Sequence, residues 1–268
     1  MVRGAAAAGV ELLALSDHDT VDGVPEALEA ASSLPLRVVP AVEISAIDPV
    51  DADLHILGYL VDHRDGTLLE RLRSFRGQRE ARAGAMAAKL RELGFELDDQ
   101  RLAARQRQGT SVGRPHLAEE VTVHPGNRER LEREGRTDPS AFLVAYLIEG
   151  RPGFVPRLGP SVAESIAVIH EAGGLAIWAH PFWNLDSPEA VLKTIDRFHA
   201  YGIDGVECFY VTHDRSQTEL LADRCDELGL LSTGSADFHG PDHQHFSSFR
   251  AFRTYGRRPV LGPIAGSR

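Results

Sequence analysis

The sequence predicts an α/β fold, a barrel of strand and helix units interrupted by a helical insertion, and three observations carry that prediction. One phrase recurs four times: a helical stretch stops at glycine, a short apolar run follows, and an ionisable residue closes the run. The closing residues are His, Asp and Glu, which is the chemistry an α/β barrel gathers at the ends of its strands. Between residues 64 and 150 the phrase vanishes and long helical patterns replace it, over a stretch too long for a connecting loop.

In chain order, Gly9 leads into Glu11 to Leu15, closed by Asp17, His18 and Asp19. Two further apolar segments, Leu36 to Ser45 and Asp53 to Val61, read as strands carrying Glu43 and His55. Helical patterns follow over Thr67 to Leu93, Arg114 to Val123 and Ser140 to Glu149. The phrase then returns: Gly173-Gly174 before Leu175 to Ala179 and His180; Gly202 and Gly205 before Val206 and Glu207; Gly229 before Leu230, Leu231 and then Asp237 and His239. A strand repeatedly following a helix implies parallel pairing. The expectation is therefore a discontinuous barrel, residues 1–63 with 151–268, and an inserted helical cap, residues 64–150, set over its open face. From Gly240 onward the chain turns polar and irregular, which predicts a loosely held tail.

Composition narrows the function classes. A chain of 268 residues with 43% hydrophobic and 25% charged residues can bury a sizeable core, so disordered and collagenous classes are excluded. No apolar run approaches the ~18 residues of a membrane span. The Ala-rich start is broken by Glu11 and then by Ser16-Asp17-His18-Asp19, unlike a secretory signal. Two cysteines, Cys208 and Cys225, make no disulfide framework and read as buried thiols in a cytoplasmic protein. The net charge of -10 argues against a duplex DNA surface, while leaving room for a small anionic substrate. Twelve histidines, mostly at segment ends, suggest a folded metal site.

Asp237-Phe238-His239 places two ligand types at i and i+2, which an extended strand would point to one side. Asp17-His18-Asp19 repeats the idea, Glu43 is a carboxylate able to bridge two cations, and His55 and His180 add imidazoles. Imidazoles and carboxylates without thiolates suit a multinuclear hydrolytic site. The arginines between Arg71 and Arg107 read as a solvated helix face, and His170 and His199 as exposed helix residues.

Asp17-His18-Asp19, Glu43-Ile44-Ser45, His55-Ile56-Leu57-Gly58-Tyr59, Gly113-Arg114-Pro115-His116, Ala179-His180-Pro181 and Ser235-Ala236-Asp237-Phe238-His239-Gly240 together resemble the polymerase and histidinol phosphatase (PHP) domain. Within it they are most similar to stand-alone metal-dependent phosphoesterases such as the 3′,5′-nucleoside bisphosphate phosphatases. The resemblance implies a distorted (β/α)7 barrel holding two or three divalent metals, with manganese first and iron, zinc or magnesium as alternatives. It implies that Glu43 bridges two metals, that Asp237 completes the first, that His55 and His180 serve the second, and that His18 and His239 serve the third. Arg114 and His116 would act on the substrate phosphate, with Arg157 also binding it. Asp17 and Asp19 would orient His18, with Glu207 and His213 close to the site. Such proteins open on a strand bearing His-x-His, then Ser-Asp-Gly, then a helix that here corresponds to Val2-Arg3-Gly4-Ala5, so that strand is expected to be absent from this chain. The implied reaction is hydrolysis of a phosphate monoester on a nucleoside 3′,5′-bisphosphate or a short oligonucleotide end. Two rivals stand beside it: an amidohydrolase-type reaction in a similar metal barrel, and a truncated, non-catalytic protein that only binds metal or nucleotide.

Overall fold

A computed structural model describes residues 1–49, 52–107 and 112–266. The described chain divides into two compact units, one of residues 1–73 with 160–268 and one of residues 74–159. The helix that leaves the first unit, α3 below, is continuous through the boundary at Ser74.

The first unit is a mixed α/β structure built on one curled sheet. In order it contains α1 (Val2–Ala7), β1 (Leu12–Leu15), α2 (Val24–Ala31), β2 (Arg37–Asp48), β3 (Ala52–Tyr59) and the start of α3 (Gly66–Glu92). The second unit holds the rest of α3 with α4 (Asp99–Arg107), α5 (Arg114–Val123), α6 (Arg128–Glu134) and α7 (Pro139–Tyr146). The first unit then resumes with α8 (Val162–Glu171), β4 (Leu175–Trp178), α9 (Pro181–Asn184), α10 (Pro188–Ala200), β5 (Gly205–Tyr210), α11 (Arg215–Leu228) and β6 (Leu231–Ser235). The glycines that precede β1, β4, β5 and β6 do stop helices: Gly9, Gly173, Gly202 and Gly229 all take positive φ, between 68° and 88°.

Spatial order follows chain order, β1 to β6. Pairing is parallel for β1 with β2, β4 with β5 and β5 with β6. The all-parallel expectation fails at β3, which runs antiparallel to both β2 and β4. The reason is connection length: Asp48 and Ala52 are register partners, and so short a link can only reverse the chain. A parallel pair would need a crossover of a dozen or more residues.

Alternation along the strands sorts the core into two faces. Val39 and Ala41 of β2, Leu57 and Tyr59 of β3 and Ile177 of β4 pack on the inner face with Leu12, Ala14 and Leu231. On the other side of β2, Val38 joins Val2, Ala5 and Ala27 from α1 and α2. Helix α8 lies so tightly on β3 that a Cβ at Gly58 would stand 2.8 Å from Ile169, which explains glycine there. Ser161, Ser187 and Asp214 cap α8, α10 and α11 by accepting backbone N–H groups of Glu164, Ala190 and Gln217.

The C-terminal segment is not loosely held. Phe246 and Ile264 are buried, and Ile264 and Leu261 join the inner face of the sheet. Val260 and Ser232 exchange hydrogen bonds along the outer edge of β6, and Tyr255 donates its hydroxyl to the His213 carbonyl. Sparse apolar residues hide this anchoring, because a few buried side chains suffice to fix an irregular strand of chain.

The second unit has its own core, formed by Met86, Leu90, Phe95, Leu117, Val121 and Phe142 among others. Asn127 staples it by accepting from the Glu96 N–H and donating to the carbonyls of Glu96 and Val121. Helices α4 and α6 are additions to the three helical segments predicted between residues 67 and 149.

Candidate metal centre

Four strands deliver the candidate ligands. Beyond β1 the ladder to β2 continues, with Glu43 N–H bonded to Asp17 O and Asp19 N–H to Glu43 O, so His18 lies beside Glu43. Glu43 and Ser45 share one face of β2, and His55 stands opposite Ser45 on β3, diagonal to Glu43. The Ala179 N–H bonds to His55 O, which delivers His180 to the same place at the end of β4.

The result is a carboxylate among three imidazoles. Glu43 Oε1 lies 2.7 Å from His55 Nδ1 and 3.4 Å from His180 Nε2, and Oε2 lies 4.0 Å from His18 Nδ1. His55 Nδ1 and His180 Nε2 are 3.2 Å apart. One ligand atom from each of His18, Glu43 and His55 falls within a 4.8 Å group. Glu43 is only 7% exposed. Burial pushes its carboxyl up, yet the charges of His18 and His55 and hydrogen bonds from His180 and His55 outweigh burial and hold it well below the usual carboxylate range. His180 shows the reciprocal effect: burial opposes its charge, but Glu43, Glu207 and Asp237 raise it above the ordinary histidine value.

These residues fit a divalent cation. An ionised carboxylate and clustered ring nitrogens, with no thiolate among them, form a hard to borderline donor set. A metal would replace the contacts that Glu43 now makes to imidazole, and the Nδ1 atom of His180 is buried without a partner.

The remaining predicted residues are placed differently. Asp237 is not in an extended strand, because β6 ends at Ser235 and Asp237 takes φ 47°, so the i and i+2 argument for Asp237 and His239 does not hold. Tyr210 donates its hydroxyl to Asp237 Oδ2 at 2.7 Å, while His239 Nδ1 bonds to Asp237 O. Asp19 accepts the Ser45 N–H at 3.0 Å, and Ser45 Oγ lies 3.4 Å from His18 Nδ1, so Asp19 reaches His18 through Ser45. Asp17 is raised, first by burial and then by Asp22 and Glu43. Glu207, raised to about 7 chiefly by burial, accepts the His180 N–H at 3.0 Å. That bond steadies His180 in a left-handed conformation, φ 31°, that a non-glycine residue seldom adopts. His213 donates from Nδ1 to Cys208 O at 3.1 Å, and burial lowers it to about 4. Arg114, His116 and Arg157 belong to the second unit, where Arg114 opens α5 and His116 Nδ1 accepts the Gly113 N–H. Cys208 and Cys225 are buried free thiols.

Sequence reasoning passed over Tyr210 and Trp183. Tyr210 ends β5, and that position was the available signal for it; Trp183 lies on α9, three residues after His180.

No protein-family model matches the sequence. A 5′-3′ exoribonuclease of Haemophilus influenzae is 32% identical over 241 residues, spanning 90% of this chain and 84% of that protein. The chain belongs to the PHP-type phosphoesterases. A 3′,5′-nucleoside bisphosphate phosphatase of Chromobacterium violaceum is 29% identical to this PHP phosphoesterase, over 90% of the chain and 81% of the relative. Among solved structures, a candidate metal-dependent phosphoesterase from Bifidobacterium adolescentis superposes with a TM-score of 0.74 at 26% identity, covering 94% of this chain and 84% of that one. The PHP phosphoesterase is thus a hydrolase, and its His18, Glu43 and His55 cluster suits a divalent metal. No helix among the described residues is long and apolar enough to cross a membrane.

Proposed function

We propose that this PHP phosphoesterase hydrolyses a phosphate monoester of a nucleoside 3′,5′-bisphosphate or of a short oligonucleotide end. The observation that carries the proposal is the buried Glu43 carboxylate, kept ionised among His18, His55 and His180. The carboxylate and the ring nitrogens together form a donor set that suits a divalent cation. The relatives that support the substrate class are the exoribonuclease and the nucleoside bisphosphate phosphatase.

In this reading Glu43, His18, His55 and His180 hold two or three divalent cations, manganese first, with Asp237 and His239 as further ligands. Divalent cations supply a Lewis acid for the phosphoryl group and for the attacking water. Glu207 fixes the backbone of His180, Tyr210 orients Asp237, and Asp19 acts on His18 through Ser45. Arg114 clamps phosphate oxygens in a charge-assisted pair, with His116 and Arg157 on the same substrate group. In this reading the curled sheet is that of a distorted (β/α)7 barrel. Residues 64–150 act as a substrate cap, and the protein works in the cytoplasm.

The test is a substrate panel with added Mn²⁺ and after chelation: adenosine 3′,5′-bisphosphate, a 5′-phosphorylated oligonucleotide and an N-acyl amide. Phosphate release that chelation abolishes and Mn²⁺ restores supports the reading. Amide hydrolysis without phosphate release would replace it with the amidohydrolase alternative.

A further inference from the structure

Beside the metal centre the structure keeps a large aromatic side chain in solvent. Trp183 is 51% exposed, although it sits on the short helix α9 that begins directly after His180. Its ring centroid is 6.5 Å from that of His180. Exposing an indole forgoes the stabilisation its burial would bring, and the molecule's other tryptophan, Trp178, is buried.

The indole also has a fixed backing. Tyr210 meets it at 6.5 Å in a near-perpendicular arrangement, and Phe246 meets it at 5.7 Å. Tyr210 and Phe246 are themselves buried and in contact at 6.0 Å. Tyr210 is pinned by its hydrogen bond to Asp237, so the aromatic backing is tied to a candidate metal ligand. His239 and His243 also pack against Phe246, with ring centroids 5.4 and 5.2 Å away. His243 Nδ1 accepts the N–H groups of His245 and Phe246, which leaves its exposed Nε2 as the donor.

We propose that Trp183, backed by Tyr210 and Phe246, is the stacking platform for the nucleobase of the substrate. The inference rests on the phosphoesterase reading of the adjacent centre. A nucleotide places a flat aromatic base one furanose away from the phosphate that reacts, and an exposed indole one short turn away from His180 offers the matching face. Stacking is tolerant of base identity, because every base presents a π-face, so the platform selects for a nucleoside over a bare sugar phosphate and not for one base. His243 is exposed and packs on the same Phe246, so its donor is available to a polar base edge.

Two readouts test the platform. The first is intrinsic fluorescence, in which Trp183 is the solvent-exposed reporter and Trp178 the shielded one. Adenosine 3′,5′-bisphosphate should quench the wild-type emission saturably, ribose 3,5-bisphosphate should not, and Trp183→Phe should remove the quenching. The second is the ratio of kcat/KM for adenosine 3′,5′-bisphosphate to that for ribose 3,5-bisphosphate. Trp183→Ala should lower this ratio roughly 10- to 100-fold, and Trp183→Phe should restore most of it. An unchanged ratio in Trp183→Ala, or equal quenching by both ligands, would overturn the platform. The two readings fail separately: nucleotide-specific quenching without phosphate release removes the phosphoesterase assignment and keeps the platform, whereas phosphate release with an unchanged ratio does the reverse.

Discussion

Acidification should load a proton onto His213 at a measurable cost in stability. His213 is 3% exposed, with Phe182 and Tyr210 against its ring and Nδ1 committed to Cys208 O. Its Nε2 is buried with no acceptor, so protonation would place an unpaired charge in an apolar setting. Burial lowers it from 6.5 to about 4. Between those values the unfolded chain binds the proton and the folded chain does not, so stability is present above pH 6.5 and is lost as pH falls toward 4. At 1.36 kcal/mol per unit the loss approaches roughly 3 kcal/mol. Glu207 contributes the opposite slope: raised to about 7, it loses stability as pH rises from 4.5. The wild-type profile alone therefore mixes several signals, those of Glu207, His180 and Asp17 among them, and the difference from His213→Phe isolates that of His213. Urea unfolding of the metal-free proteins at pH 7.5 and pH 4.5 should show the wild type losing about 2 to 3 kcal/mol more than the variant over that interval. Parallel losses in both proteins would refute the assignment of a buried neutral imidazole.

Glu207→Leu should destabilise the fold by about 1 to 3 kcal/mol, since it strips the His180 N–H of its acceptor and frees a left-handed turn, while Glu207→Gln keeps an acceptor and should cost less; thermal unfolding distinguishes them. Arg114→Ala should leave bound metal intact, by elemental analysis, and lower kcat/KM for adenosine 3′,5′-bisphosphate roughly 10²-fold, the worth of a charge-assisted phosphate pair. Ser161→Ala should lower stability by about 1 kcal/mol through loss of the α8 cap, with no change in metal binding.

Glycine punctuation made β1, β4, β5 and β6 legible, because a left-handed stop after a helix leaves a chemical mark in the sequence. Strand direction leaves none: the apolar run at β3 reads the same in either sense, and only the short link from Asp48 to Ala52 reveals the reversal. Helices α4 and α6 are strongly polar and carry little apolar periodicity, so their existence depends on the core they border. At the centre, His18 and His180 were visible as residues closing apolar runs and Glu43 and His55 as polar residues carried within them, and the structure brings the four together. The conformation of Asp237 was not visible, since a left-handed aspartate is set by its surroundings, here Ser235 and Tyr210. The aromatic backing of Trp183 depends on Phe246, in a segment whose polar composition gave no sign that it packs beside the centre.

The central claim is that the carboxylate of Glu43 assembles a metal centre that cleaves a phosphate ester. The most direct measurement is phosphate release from adenosine 3′,5′-bisphosphate during a Mn²⁺ titration, for the wild type and for Glu43→Gln, which keeps shape but removes the charge. The account predicts metal-dependent release by the wild type, with the Glu43→Gln midpoint displaced at least about 100-fold toward higher Mn²⁺ or activity abolished. Equal titration curves, or release that persists at full rate in chelated protein, would contradict it.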